Sequence, residues 1–531
     1  MAGGGTIIVS GNAGDNIGAF MHNGEIIIAG NTGKGTGQYM TGGVIYIGGN
    51  IHSQGINTET RDLTDSEKKK IVKYFKHYGI SKNVNNFKKI IPIKNSPLLQ
   101  GLFYTQFVNR EQVPKSIIDD IESSAKTGLM TLYGPSKDFI TNSGQSFYDR
   151  LSILPEQIKT IENWDKLDLD FTIAQKIGGS LKSPLVLNHP FYLESRGPGT
   201  VSTSTQMAFL YAANESGSAL NLGGLMLQDE FGRQAKYNNK LITQWGPHRM
   251  GIEVDYLSKS SAIELVLGYG GSGSLPMIIP KNKITNELSK LWNVTKSTDI
   301  LLPPKSPDFD VPADLKRHVE LLREISGYRI PILIRMAAGD VYEDTKLAIR
   351  AGADAIVIDC IDSFRQNLPT ITANNLGLFS IAAIGPAAKA IKDTKAVNND
   401  FKLIVSGFFR NGGDIYKALA LGADAVVINT PAEIGIGCKL CGKCNLNNCP
   451  VGIGTTNPKF ETKLDWVEAG KKMAKYLRTV IMEFKLLMLL TGCKNTSDIN
   501  RDKLRSFDYE VASITGVRLG GFDKRLPMWD H

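Results

Sequence analysis

Hydrophobic and polar positions alternate along this chain in three different rhythms. In the first fifty residues short β-branched runs recur at a fixed step: Gly5-Thr-Ile-Ile-Val-Ser-Gly-Asn-Ala-Gly, Gly24-Glu-Ile-Ile-Ile-Ala-Gly-Asn-Thr-Gly and Gly43-Val-Ile-Tyr-Ile-Gly-Gly-Asn align about nineteen residues apart. Each unit predicts a strand closed by a glycine-rich corner, and such strands bury their apolar faces only by stacking on one another. The recurrence in register favours a small β-solenoid over a flexible glycine-rich leader. Three rungs leave open ends, which either the rest of the chain or another polypeptide must cover.

From Arg61 to about Pro97 the composition becomes rich in Lys and Asn. The capping box Thr64-Asp-Ser-Glu67 predicts one helix that stops at Gly79, within what reads as a linker.

From Ser183 the rhythm changes to apolar strand, glycine-rich turn and helix. Ala348-Ile-Arg-Ala-Gly-Ala-Asp-Ala-Ile-Val-Ile-Asp359 is echoed by Ala418-Leu-Ala-Leu-Gly-Ala-Asp-Ala-Val-Val-Ile-Asn429. Continuous apolar strands after helix-ending glycines are buried on both faces, as in a parallel sheet covered by helices. Further strands are expected at Ile330 to Met336 and Lys402 to Ser406. A (β/α)8 TIM barrel is preferred to a doubly wound α/β sheet on length and on the loops described next.

Composition narrows the class. The chain has 531 residues, 42% apolar and 21% charged, with a net charge of +9. These values suit a folded protein, and no basic cluster interleaved with aromatics suggests nucleic acid. No run approaches the length of a membrane span and the first residues lack a signal core, so a cytoplasmic protein is expected.

Four of the six cysteines lie in Cys438-Lys-Leu-Cys441-Gly-Lys-Cys444-Asn-Leu-Asn-Asn-Cys449-Pro450. Thiolates so closely spaced suit an inorganic cluster in a reducing compartment, with zinc as the alternative. Ser406-Gly407-Phe-Phe-Arg410-Asn-Gly412-Gly413-Asp414 follows a predicted strand and opens a helix, and Asn429-Thr430 follows the next strand. In a barrel these are the last two strand ends, where backbone N–H groups receive a phosphate.

With these motifs in hand, the chain resembles the glutamate synthase family. Cys438, Cys444 and Cys449, followed by Pro450-Val-Gly-Ile-Gly-Thr-Thr, resemble its three-iron cluster motif. Gly5 to Asn50 resembles its glycine-repeat solenoid, in reversed order and only in part, and Ser183 to about Asn457 its flavin barrel. The resemblance implies four regions: a right-handed β-helix fragment at 1–57, a linker with a helix at 58–105, a barrel at 106–480 that includes the 438–450 loop, and a closing helical segment at 481–531.

It also implies an oxidoreductase that reduces 2-iminoglutarate, from 2-oxoglutarate and ammonia, to L-glutamate through FMN and an iron–sulfur cluster. That cluster would be 3Fe-4S, or 4Fe-4S if Cys441 is a ligand. FMN is expected against Gly223, Gln244, Arg335, Ser406, Gly407, Arg410, Gly412, Gly413, Asn429 and Thr430. Gln244, Arg249 and Arg335 are expected at the reacting end, Arg249 and Arg335 holding carboxylates, although Arg335 also reads as a plain surface arginine. Met1 is followed by Ala2 where an amidotransferase would present cysteine, so a separate amidotransferase or solenoid subunit is expected, with ferredoxin or an NAD(P)H-oxidising subunit as electron donor.

Two departures loosen the substrate. The family's glycine-rich loop is shortened to Gly268-Tyr-Gly-Gly-Ser-Gly-Ser-Leu-Pro276, and Cys360-Ile-Asp-Ser-Phe-Arg365 replaces an aspartate-glycine-glycine segment. Synthesis of an N-substituted glutamate from another amine, or electron transfer without a carbon substrate, therefore stay open.

Overall fold

The computed structural model describes residues 5–93, 113–130, 146–157, 173–197, 199–223, 240–247, 252, 254–273, 275, 277–296, 298–303, 309, 311–363, 370–396 and 400–526. The chain divides into two compact units: residues 1–107, 247–251 and 275–306 form the first, and the remainder forms the second.

In the first unit the nineteen-residue step is realised as parallel strands in exact register. β1 (Thr6–Val9), β2 (Glu25–Ile28) and β3 (Val44–Ile47) pair Ile7 with Ile26 and Ile26 with Ile45. Between Thr58 and Pro92 the stretch read as a linker carries two strands besides its helix. β4 (Thr58–Asp62), α1 (Asp65–His77) and β5 (Lys88–Pro92) follow one another, and β5 pairs antiparallel with both β3 and β4. The capping box at Thr64 and Glu67 is present. Ile71 and Phe75 of α1 join Ile27, Tyr46 and Phe87 in a buried cluster, so burial of an amphipathic face holds this stretch in place despite its polar composition.

The second unit is a closed parallel barrel of eight strands. They are β8 (Phe191–Glu194), β9 (Leu220–Asn221), β10 (Leu241–Trp245), β11 (Ala262–Val266), β12 (Ile332–Ala337), β13 (Ala355–Asp359), β14 (Lys402–Ser406) and β15 (Ala425–Ile428), with β15 returning to pair with β8. A hairpin of β6 (Gln175–Ile177) and β7 (Leu185–Leu187) precedes it. Among the helices are α2 (Thr203–Ser216), α3 (Pro312–Ile325), α4 (Val341–Arg350), α5 (Ser380–Asp393), α6 (Gly412–Leu421), α7 (Thr430–Gly435) and α8 (Trp466–Leu490). The TIM-barrel expectation is met. The boundary expected at residue 480 falls inside α8, and residues 247–251 and 275–306, expected within the barrel, belong to the first unit.

Because side chains alternate across a strand, every second residue enters the barrel. Ile177, Leu185 and Leu187 of the hairpin pack with Tyr192, Ile242, Ala262, Leu333, Val357, Ile404 and Val427 in one apolar cluster that fills the lower interior. Two residues further along the same strands stand Glu194, Gln244, Glu264, Arg335, Asp359, Ser406 and Asn429. The polar layer is thus placed at the C-terminal ends of the strands, where barrels carry their sites. Among the described residues, no helix is long and apolar enough to cross a membrane.

Candidate functional site

Arg335 is the centre of the polar layer and is 0% exposed. Its Nε donates to Glu264 Oε1 at 2.8 Å, Nη1 to Asp359 Oδ2 at 2.8 Å and Nη2 to Glu264 Oε2 at 3.2 Å, while Glu194 Oε1 lies 3.0 Å from Nη2. Glu264 also accepts from Asn221 Nδ2 at 3.1 Å, Gln244 Nε2 at 2.9 Å and the Tyr192 hydroxyl at 3.1 Å. The Tyr269 hydroxyl donates to Gln244 Oε1 at 2.9 Å.

Burial works against the Arg335 charge, and the surrounding carboxylates more than reverse this, so its pKa is raised. The guanidinium is buried and committed to protein acceptors, which sets aside the reading of a plain surface arginine. Gln244 is brought into the same network. Arg249 lies outside the described residues.

In the β14–α6 loop the polar side chains pair within the protein. Arg410 donates from Nε to Asp414 Oδ2 at 2.8 Å, from Nη1 to Asp149 Oδ2 at 3.0 Å and from Nη2 to Asp149 Oδ1 at 2.6 Å. Its charge is paired with two aspartates. At the N-terminus of α6 the Gly412 N–H donates to Glu483 Oε2 at 2.9 Å, and the Asp414 N–H to Asn411 Oδ1 at 2.9 Å. A carboxylate of α8 therefore stands where a phosphate was expected. Gly412 is required by packing: a Cβ there would come within 2.3 Å of the Phe484 nitrogen. Gly407 similarly abuts Ser380, whose N–H donates to Asp362 at the start of α5.

The two other strand ends remain open to a ligand. A small cavity is lined by Glu194, Ser195, Arg196, Ser363, Asn429, Thr430 and Glu433. Asn429 caps α7 through its own Oδ1 and lies 3.4 Å from the Ser406 hydroxyl. Gly223, at φ +66, turns tightly against the Gly197 nitrogen, so that a side chain there would collide with the loop after β8. Arg196 reaches from that loop to Glu433, Nε to Oε1 at 2.8 Å and Nη2 to Oε2 at 2.9 Å. Hydroxyls, an amide and a guanidinium form a donor set for a polar group, beside the carboxylates of Glu194 and Glu433.

The cysteine loop begins at this cavity. The Cys438 N–H donates to the Glu433 carbonyl at 2.9 Å. Cys438, Cys444 and Cys449 are buried and Cys441 is partly exposed. Leu440, Gly442 and Asn447 take positive φ to fold the loop back, and Asn447 is pinned by Thr455 and Thr456. Burial pushes the Cys438 thiol up to about 12 and raises Cys444, while the neighbouring Arg196 charge opposes both shifts. Among the described residues, no three His, Cys, Asp or Glu side chains converge closely enough to hold a single metal ion. A multi-iron cluster spreads its thiolates farther than one ion does, and three buried cysteines in one loop suit that donor chemistry.

Glu194, Arg196, Glu264 and Glu433 were not singled out from the sequence. Glu264 had a signal, a lone charge inside the apolar run Ala262-Ile-Glu-Leu-Val266.

Residues 137–494 match the family described as the conserved region in glutamate synthase. A glutamate synthase large subunit-like protein of Rhizobium meliloti is 28% identical over 421 residues, covering 76% of this chain and 93% of that protein. An archaeal-type glutamate synthase (NADPH) of Thermotoga maritima is 29% identical over 428 residues, covering 76% and 82%. Among solved structures, a lactate oxidase of Pediococcus acidilactici aligns with a TM-score of 0.44 and 16% identity over 76% of this chain and 99% of that one.

Proposed function

The chain belongs to the glutamate synthase family, and from that premise we propose that it reduces 2-iminoglutarate, formed from 2-oxoglutarate and ammonia, to L-glutamate with FMN and an iron–sulfur cluster. When bound, a flavin supplies hydride transfer to the carbon–nitrogen double bond and a cluster supplies single electrons. The observation that carries the reading is Arg196, which lines the barrel-mouth cavity, grips Glu433 and lies beside Cys444 and Cys438.

Ser406, Gly407, Gly413, Asn429 and Thr430 are the residues that would hold the phosphate end, and Gly223 and Gln244 the ring end. Arg335 acts one step back: it pins Glu264, Asp359 and Glu194, and through Glu264 fixes the Gln244 amide. Cys438, Cys444 and Cys449 would hold the cluster, with Cys441 as a fourth donor in a four-iron form. Electrons come from a ferredoxin or an NAD(P)H-oxidising subunit, and ammonia from solution or a separate amidotransferase, in a cytoplasmic setting.

One observation favours a second reading. Three carboxylates surround one arginine in the polar layer, and this acidic surplus attracts an amine that arrives as a cation more than a dicarboxylate. An alkylamine in place of ammonia would then give an N-substituted glutamate. Chain reconstituted anaerobically with FMN, iron and sulfide, chemically reduced and mixed with 2-oxoglutarate and either ammonia or methylamine, tests both. Glutamate formed with ammonia supports the first reading and N-methylglutamate the second. Reduced flavin that persists with either mixture removes both.

A further inference from the structure

The five-stranded sheet of the first unit runs β1-β2-β3-β5-β4, so it has two edges. They are built differently. β4 reads Thr58-Glu-Thr-Arg-Asp62, charged and exposed, the pattern by which proteins blunt an edge. β1 reads Thr6-Ile-Ile-Val9, β-branched and uncharged, with Ile7 50% exposed. Such an edge is a template for another strand.

The glycines of the corners say which strand. In the second and third rungs they are needed because the preceding rung presses on them: a Cβ on Gly30 would lie 2.3 Å from Asn12 Oδ1, one on Gly49 2.3 Å from Asn31 Oδ1, and one on Gly33 2.1 Å from Asp15 Oδ1. Backbone and side chain form a continuous ladder there. The Asn31 N–H donates to Asn12 Oδ1 and the Asn50 N–H to Asn31 Oδ1, each at 2.8 Å, and the Gly30 N–H donates to the Gly11 carbonyl at 2.9 Å.

Gly11 and Gly14 occupy the same corner positions in the first rung. Neither has positive φ, and among the described residues no atom would lie within 4 Å of a Cβ on either. Nothing among the described residues of the unit explains these two glycines, whereas a rung stacked on β1 would require both.

We propose that the β1 edge takes up a further rung of the same repeat from a separate polypeptide: a short parallel β-branched strand followed by a Gly-Asn corner whose side-chain oxygen receives the Asn12 N–H. A second copy of this chain does not fit. Two-fold pairing of β1 with β1 would run antiparallel and leave Asn12 Oδ1, already turned to Asn31, unable to serve the copy. Head-to-tail addition is blocked because β5 occupies the outer edge of β3.

The test uses the full chain with residues 5–23 duplicated ahead of Gly5, which supplies one further rung in register. Hydrogen exchange of the β1 amides is expected to slow by about tenfold or more relative to the unextended chain. Gly11→Val and Gly14→Val are expected to leave the thermal midpoint of the unextended chain unchanged and to abolish the added protection in the extended one. Unslowed β1 exchange in the extended chain overturns the proposal. So does sedimentation of the unextended chain as a homodimer with protected β1 amides.

Discussion

Arg196 and Glu433 are joined by two parallel hydrogen bonds of 2.8 and 2.9 Å, a partly buried fork on the wall of the barrel-mouth cavity. Its geometry needs a planar guanidinium, because an ammonium cannot donate along both directions at once. Removing one partner strands the other. Arg196→Leu is expected to cost about 3–5 kcal/mol in urea unfolding, and Arg196→Lys less, since breaking a buried pair leaves an uncompensated charge. Midpoints unchanged in both variants would show that the pair is not formed in solution.

The Arg335 network has more carboxylates than cations, so the arginine is structural before it is anything else. Arg335→Lys would leave Glu264, Asp359 and Glu194 sharing one point charge. A loss of about 2–4 kcal/mol is expected, with flavin affinity reduced as Gln244 is released. A stable variant with native flavin affinity would return Arg335 to the role of a peripheral cation.

Glu483 sets a pH dependence. Burial pushes its carboxyl up to about 7, helped by Asp120 and Asp414 and opposed by the Gly412 N–H. A carboxyl whose folded pKa exceeds its unfolded value keeps its proton in the folded state, so this contribution to stability is full at low pH and falls as pH rises from about 4.5 to about 7. Glu483→Gln retains an acceptor for Gly412 and removes the ionisation. Its unfolding free energy, measured from pH 5 to pH 8, is expected to lose this downward component and to exceed that of the parent at pH 8. Parallel curves for the two proteins would contradict the assignment.

The four clustered cysteines are not equivalent, three being buried and Cys441 partly exposed. Cys438→Ser, Cys444→Ser and Cys449→Ser are each expected to lose most bound iron after anaerobic reconstitution, while Cys441→Ser keeps it as a three-iron species. Iron analysis with spin-resonance spectroscopy reads this directly. Equal loss in all four variants would make Cys441 a full ligand.

Much of the fold was legible because it is written in periodicity. The nineteen-residue step and the two helix-glycine-strand echoes each map onto a repeated backbone unit. The cap formed by β4, α1 and β5 was not legible, since its polar composition hides how few apolar residues, Ile71 and Phe75 among them, suffice to dock it. At the site, motifs located the loops but not the partners of their side chains. Arg410 reads as a residue of the phosphate loop, and its pairing with Asp149, far away in sequence, could not be foreseen. Glu433 and Arg196 carry no motif at all, and their pairing is a property of the closed barrel.

The central claim is that the cavity lined by Asn429, Thr430 and Arg196 and the buried cysteines serve one electron path. Rapid-mixing absorbance of the reduced, reconstituted chain with 2-oxoglutarate and ammonia tests it most directly. Flavin reoxidation is expected, followed by recovery of the iron–sulfur absorbance as electrons pass to the flavin within the turnover time. Flavin that reoxidises while the iron–sulfur absorbance stays bleached would contradict it.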